Sequence, residues 1–250
     1  MIKNMEFKNK VVLVTGGSKG IGRAICIKFA ELGSKVFFTY RKNDKSSLSL
    51  KSMKFFSGGK ISGIKSTTIS ENSIRTTMKK IKKETLKLDI LVNNIGDAIK
   101  RSSFVNSSDK LWIENLNLNL LSAVRTTRIF LNLFKSPKNS SIVNVGSVAG
   151  NAGGSGDSLH YGSSKGALHV FTKGLAKELK GIRVNCVAPS IIRTNFQKRL
   201  SSKKRLNKII LQTPLKRIGT PEEVANVVTF LSSDKAAYIN GEVIFISGGR

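Results

Sequence analysis

Short apolar runs rich in β-branched residues recur along this chain, most of them separated by segments with helical spacing. The runs are VVLVT (11–15), KVFFTY (35–40), KISGIKS (60–66), LDILVNN (88–94), SIVNVGS (141–147), IRVNCVAP (182–189) and VIFIS (243–247). Most are continuously apolar rather than alternating, as strands covered on both faces must be. Between them lie a helical pattern from about Ile21 to Leu32 and a mixed segment with apolar residues at Leu48, Leu50, Met53, Phe55 and Phe56. Further on come a lysine-rich helix over roughly 71–86, a long helix over about 109–135 and another over about 160–180. This alternation predicts an α/β fold: a single doubly wound domain over 1–250, with about seven parallel strands and helices on both faces. With 40% of its 250 residues apolar, the chain can bury one substantial core. The stretch 190–213 reads as a substrate lid containing short helices.

Charge and cysteine usage narrow the function classes. There are 43 basic and 15 acidic residues, a formal charge of +28. Such a field favours polyanions or acidic protein partners. Yet the cations are spread from Lys3 to Arg250, and the densest stretches, KKIKKETLK (79–87) and KRLSSKKRLNK (198–208), lack interleaved aromatics. Lysines outnumber arginines 31 to 12, the wrong way round for bidentate readout of bases or phosphates. A dedicated nucleic-acid partner is therefore not expected. No apolar run approaches the ~20 residues of a membrane span, and MIKNMEFKNK holds no apolar leader core. Cys26 and Cys186 sit inside apolar runs and read as buried thiols in a reducing, cytoplasmic setting. No metal site is expected.

The first strand runs straight into TGGSKGIGRA (15–24), with Gly16, Gly20 and Gly22 immediately before a helix. Glycines there permit a tight turn and let backbone N–H groups approach a pyrophosphate at the helix N-terminus. The same residues spell G-x-S-x-G, the nucleophile elbow of hydrolases, but only His160 and His169 are available downstream and little sheet precedes the turn. A phosphate-binding P-loop fails, because no Gly-Lys-Ser/Thr follows. Farther along, Tyr161 precedes Lys165 by four residues, a spacing that puts both on one helix face. Alone, that pair is weak evidence in so lysine-rich a chain.

Taken together, TGGSKGIG (15–22), NNIG (93–96), NVGS (144–147), YGSSK (161–165) and VNCVAP (184–189) resemble the short-chain dehydrogenase/reductase family in motif order and spacing. The resemblance runs from Val11 to the terminal GEVIFISGG and implies a Rossmann-type fold and a carbonyl–alcohol oxidoreductase. It implies Ser147, Tyr161, Lys165 and Asn119 as the catalytic set. Tyr161 would give or take the proton, and Lys165 would favour the phenolate and hold the nicotinamide ribose. Ser147 would face the developing alkoxide, while Asn119 would bend its helix and hold a water serving the lysine. It implies cofactor contacts at Gly16, Ser18, Lys19, Gly20, Ile21, Gly22, Arg41, Asn93, Gly96, Tyr161, Lys165, Pro189, Ile192 and Thr194. His160 reads as pocket wall or surface.

Relatives that prefer NAD carry an acid at the end of the second strand. Here Tyr40 stands at that place with Arg41 next, and Lys19 lies within the glycine turn, which resembles relatives holding the 2′-phosphate of NADP. NADPH is the expected cofactor, with NAD still open. Three departures from the family pattern bear on affinity: Ile95 for the usual alanine, threonine at Thr67 and Thr68 for an aspartate, and Ser190 for the glycine after Pro189. The general resemblance within the family is to 3-oxoacyl-[acyl-carrier-protein] reductases. It implies basic residues near Lys138 and Lys180 facing an acidic carrier protein, and a homotetramer built on the helices over 109–135 and 160–180. A sugar, polyol or other small carbonyl substrate is the alternative, and a noncatalytic binding role the remote one.

Overall fold

Seven strands form one fully parallel sheet in the computed structural model, which describes residues 5–42, 44–66, 69–134 and 140–250, without the Lys198 side chain. The strands are β1 (Val11–Val14), β2 (Lys35–Tyr40), β3 (Lys60–Lys65), β4 (Ile90–Asn93), β5 (Ser140–Val145), β6 (Ile182–Pro189) and β7 (Val243–Ile246). Their order across the sheet is β3-β2-β1-β4-β5-β6-β7. The helices are α1 (Gly20–Glu31), α2 (Lys45–Lys51), α3 (Glu71–Glu84), α4 (Asp109–Leu116), α5 (Ser122–Leu133), α6 (Ala149–Ala152), α7 (Leu159–Glu178), α8 (Asn195–Leu200), α9 (Lys203–Gln212) and α10 (Pro221–Ser232). The expected doubly wound α/β architecture is therefore present.

Period-two side-chain alternation divides the apolar strands between two cores. Val12, Val14, Val36 and Phe38 join Ile25, Cys26 and Phe29 of α1 and Val224, Val228 and Leu231 of α10 on one face. Val11, Leu13, Phe37 and Leu91 join Ile74, Met78 and Ile81 of α3, Ile129 and Phe130 of α5 and Ala176 of α7 on the other. Both cysteines are free and buried, as their apolar surroundings led us to expect. Among the described residues, no helix is long and apolar enough to cross a membrane.

Several boundaries differ from the sequence-based expectation for local reasons. The long helix over 109–135 is not one regular α-helix: residues Asn117–Leu121 form a π-helical turn between α4 and α5. Helix α10 was not anticipated, although Thr220 and Glu223 form a capping box with Pro221 at its first position. The lid resolves into α8 and α9, and β5 stops at Val145, so Ser147 lies two residues past its strand. Thr67, Thr68 and Lys138 lie outside the described residues.

The sheet order reverses between β1 and β4, and a crevice opens at the carboxyl ends of these two strands, where such sheets bind ligands. Asn94 ties the fork: its backbone N–H donates to Thr15 Oγ1 at 3.0 Å, and its side-chain amide donates to the carbonyls of Thr15 at 2.9 Å and Gly16 at 3.1 Å.

Candidate active site

A cleft of about 850 Å³ runs along this crevice from the glycine turn to the lid. At one end, Gly16 and Gly20 adopt positive φ of 66° and 52°, the left-handed region that glycine enters without a Cβ clash. A Cβ on Gly22 would lie 2.5 Å from both the Gly16 carbonyl oxygen and Asn94 Nδ2. The turn can therefore close only with hydrogen there. It presents α1 by its N-terminus, with no acidic residue in the first turn to repel an anion. These residues fit the pyrophosphate of a dinucleotide.

Ser147, Tyr161 and Lys165 line the same cleft, brought together by the end of β5 and the first two turns of α7. The Ser147 hydroxyl stands near enough to the Tyr161 phenol to favour its ionised form, and it accepts the Ala149 backbone N–H at 3.2 Å. Lys165 is 2% exposed, and its ammonium donates to the Val145 carbonyl at 2.7 Å. That Nζ lies 6.0 Å from the Tyr161 ring centre. Burial pushes the phenol up to about 12, against the pull of Ser147 and with a further push from Asp97. Burial also brings the ammonium down to about 8. The drawing-down of the tyrosine expected from the lysine does not show in this geometry, where the ammonium is turned to the Val145 carbonyl and burial is the largest influence on the phenol. Tyr161 is instead held as a phenol, the form a proton donor needs.

The π-helical turn aims Asn119 toward Lys165. The Asn119 amide donates to the carbonyls of Asp97 at 2.9 Å and Asn115 at 3.0 Å, and its oxygen accepts from the Asp97 backbone N–H at 2.9 Å. A Cβ on Gly96 would lie 2.7 Å from Lys165 Nζ and 2.9 Å from Asn119 Oδ1, so these polar ends converge where Gly96 leaves room. A π turn at such a place is the usual way a helix re-aims one side chain at a functional site.

Of the cofactor residues expected from sequence, Gly16, Ser18, Lys19, Gly20, Ile21, Gly22, Arg41, Gly96, Pro189, Ile192 and Thr194 all line the cleft. Asn93 does not. Its side chain is buried and donates to Thr127 at 3.0 Å and Asn144 at 2.9 Å, part of a polar ladder under the strand ends. Asn94, one residue on, faces the cleft instead, because successive strand residues point to opposite faces. His160 is likewise corrected: it is neither cleft wall nor surface but 1% exposed, bonded to the Lys100 carbonyl at 3.1 Å and packed edge-on against Trp112. Lys19 is not a free cation, since it pairs with Asp44, the N-cap of α2. Sequence reasoning missed Asp44, although the capping box it forms with Ser47 was a legible signal. Ile95 packs against Gly16, and Ser190 sits in the cleft wall and donates its backbone N–H to Ile246.

The lid is pinned across the far end. Arg199 of α8 forms a two-pronged ion pair with Asp97, and Arg101 reaches both the Leu200 carbonyl and Asp157.

A family model described as enoyl-(acyl carrier protein) reductase matches residues 16–250. The chain is 35% identical over 247 residues to the 3-oxoacyl-[acyl-carrier-protein] reductase FabG of Escherichia coli strain K12, covering 98% of each. It is 39% identical over 247 residues to FabG of Aquifex aeolicus, again 98% of each. The solved Pseudomonas aeruginosa RhlG/NADP active-site complex is similar with a TM-score of 0.89 and 30% identity, over 100% of this chain and 99% of that one. A short-chain dehydrogenase/reductase from Serratia marcescens superimposes with a TM-score of 0.90 at 28% identity, over 98% of each. With the glycine turn, the Ser147–Tyr161–Lys165 cluster and full-length similarity in agreement, the chain belongs to the short-chain dehydrogenase/reductase family and is an NAD(P)H-dependent oxidoreductase.

Proposed function

We propose that this oxidoreductase reduces a 3-oxoacyl thioester carried on acyl carrier protein to the 3-hydroxyacyl thioester, using NADPH. The observation that carries the reading is that Ser147, Tyr161 and a buried Lys165 line one cleft, which begins at the glycine turn. When bound, the nicotinamide supplies the hydride to the carbonyl carbon. The Tyr161 phenol gives its proton to the carbonyl oxygen, and Ser147 donates a hydrogen bond to the same oxygen as charge develops there. Lys165, cationic below about pH 8, steadies the phenolate that Tyr161 becomes. Asn119 holds the lysine end of this set through its fixed contacts to Asp97 and Asn115.

Full-length similarity to reductases whose names specify 3-oxoacyl carrier-protein substrates supports the substrate. A charge of +28 speeds encounter with an acidic carrier, and Lys180 stands exposed just past α7. Exposed Ile113 on α4 and Val170 on α7 support a homotetramer packed through these helices. Free, buried thiols at Cys26 and Cys186 suit a reducing, cytoplasmic compartment.

The deciding assay follows NADPH oxidation with acetoacetyl carrier protein, against a crotonyl thioester and a panel of sugars and small ketones. Turnover of the acetoacetyl substrate is expected, and its absence rejects the assignment. The crotonyl control answers the enoyl-reductase description of the matching family model. A sugar substrate has its own support in the similarity to a Brucella melitensis structure described as a glucose/ribitol dehydrogenase, 33% identical with a TM-score of 0.88 over 98% of this chain.

Cofactor choice is tested at Lys19 and Arg41, the cations lining the adenosine end. Lys19→Ala with Arg41→Ala should weaken NADPH about tenfold or more while NADH changes little, since each charged contact to a phosphate contributes on the order of 1 kcal/mol or more. Titration by cofactor fluorescence reads this directly, and equal losses for both cofactors refute the 2′-phosphate role.

A further inference from the structure

The lid end of the cleft carries more positive charge than its partners balance. Arg199 is matched one-to-one by Asp97. Arg101 and Arg205, by contrast, share the single carboxylate of Asp157. Arg101 also donates to the Leu200 carbonyl and Ser155, and Arg205 donates to Ser155 Oγ at 2.7 Å. Arg205 Nε is buried and has no acceptor among the described residues. Arg250 comes close enough to act electrostatically on Arg205, as Arg101 does, and burial together with these two neighbours holds the Arg205 guanidinium below its ordinary range.

Arg101, Arg205, Arg250 and Ser155 all line the cleft that holds Ser147 and Tyr161. The cluster also lies close to the reacting phenol along the chain. Asp157 directly precedes Ser158, whose carbonyl accepts the Tyr161 backbone N–H at 3.1 Å. Two guanidinium groups on one carboxylate leave a net charge of one, and among the described residues a buried Arg205 N–H is left without an oxygen. Both deficits are met by the same thing, an anionic oxygen group, which guanidinium binds with charge-assisted hydrogen bonds.

We infer that Arg101, Arg205 and Arg250 form a receptor for an anionic group of the substrate, a carboxylate or a phosphate, carried on the same molecule as the carbonyl. The inference rests on the carbonyl-reduction reading and extends it: small anionic oxo compounds are bound in preference to their neutral counterparts.

The test uses dead-end binding to the NADP⁺-loaded protein, which requires no turnover. Two matched pairs are titrated by calorimetry, 5-oxohexanoate against its methyl ester and dihydroxyacetone phosphate against dihydroxyacetone. The anion of at least one pair should bind about tenfold more tightly than its neutral partner, and the advantage should shrink as salt is raised. The pair showing the larger advantage identifies carboxylate or phosphate. Arg205→Gln should cut the ratio to below about threefold. Should that variant fail to fold, Arg250→Gln, at an exposed position, carries the same prediction with a smaller drop. Equal affinities within both pairs, or a ratio unmoved by these substitutions, overturn the receptor. Turnover of acetoacetyl carrier protein tests the carbonyl-reduction reading separately, so the two can fail independently.

Discussion

Tyr161→Phe should lower kcat for carbonyl reduction by about a thousandfold or more, the scale expected when a positioned proton donor is removed. The phenol lies beside Ser147, and burial keeps it protonated until the carbonyl oxygen gains charge. Phenylalanine retains the ring and its packing beside Phe196, whose ring centre lies 6.3 Å away, so the fold and the cleft should survive. Cofactor affinity should then stay within about threefold, because most of its contacts lie on the glycine turn and the β4 end. Steady-state kinetics with a cofactor titration on the same sample separates the two effects. Residual activity within tenfold of the parent would remove Tyr161 from its role.

Lys165→Met is expected to have the second-largest effect, a fall in kcat/KM of about a hundredfold or more from the lost cation beside the phenolate. Its pH signature is more diagnostic than its size. Burial lowers the Lys165 ammonium to about 8, so the side chain is charged below that pH and neutral above it. Reduction needs the cation, so kcat/KM of the parent should be level below pH 8 and decline above it. In Lys165→Met the decline should be absent, since Tyr161, raised to about 12, titrates too high to produce it. A variant that still declines above pH 8 would assign that ionisation to another group. The chain should tolerate the change, because methionine fills similar volume and removes a desolvated charge with one carbonyl partner.

Much of the fold was legible because its rules are local. Apolar runs such as VVLVT and IRVNCVAP could be read as buried parallel strands, and they became β1 and β6. The places where reading stopped short are equally physical. Helix α10 carries a cap, Thr220 with Glu223, and an apolar stripe at Val224, Val228 and Leu231, signals passed over because the helix is short and follows the lid. The π turn at Asn117–Leu121 leaves no mark in composition. The family resemblance implies a bend at Asn119, but the contacts it makes with Asp97, 22 residues away, come only from packing.

At the site, sequence fixes which groups are present and their spacing along one element. Tyr161 and Lys165 share a helix face because four residues make slightly more than one turn, and Gly16, Gly20 and Gly22 stand where a strand meets a helix. The partners of each group come from elsewhere in the chain, and only packing decides them. The fold hands Lys165 to the Val145 carbonyl, Lys19 to Asp44 and Asn93 to Thr127. Burial then raises the tyrosine and lowers the lysine, a desolvation effect that no motif encodes because it depends on what surrounds the group in three dimensions. The same holds for Arg205 of α9, an ordinary basic residue in sequence that packing leaves half-buried, with an Nε–H that meets no acceptor among the described residues.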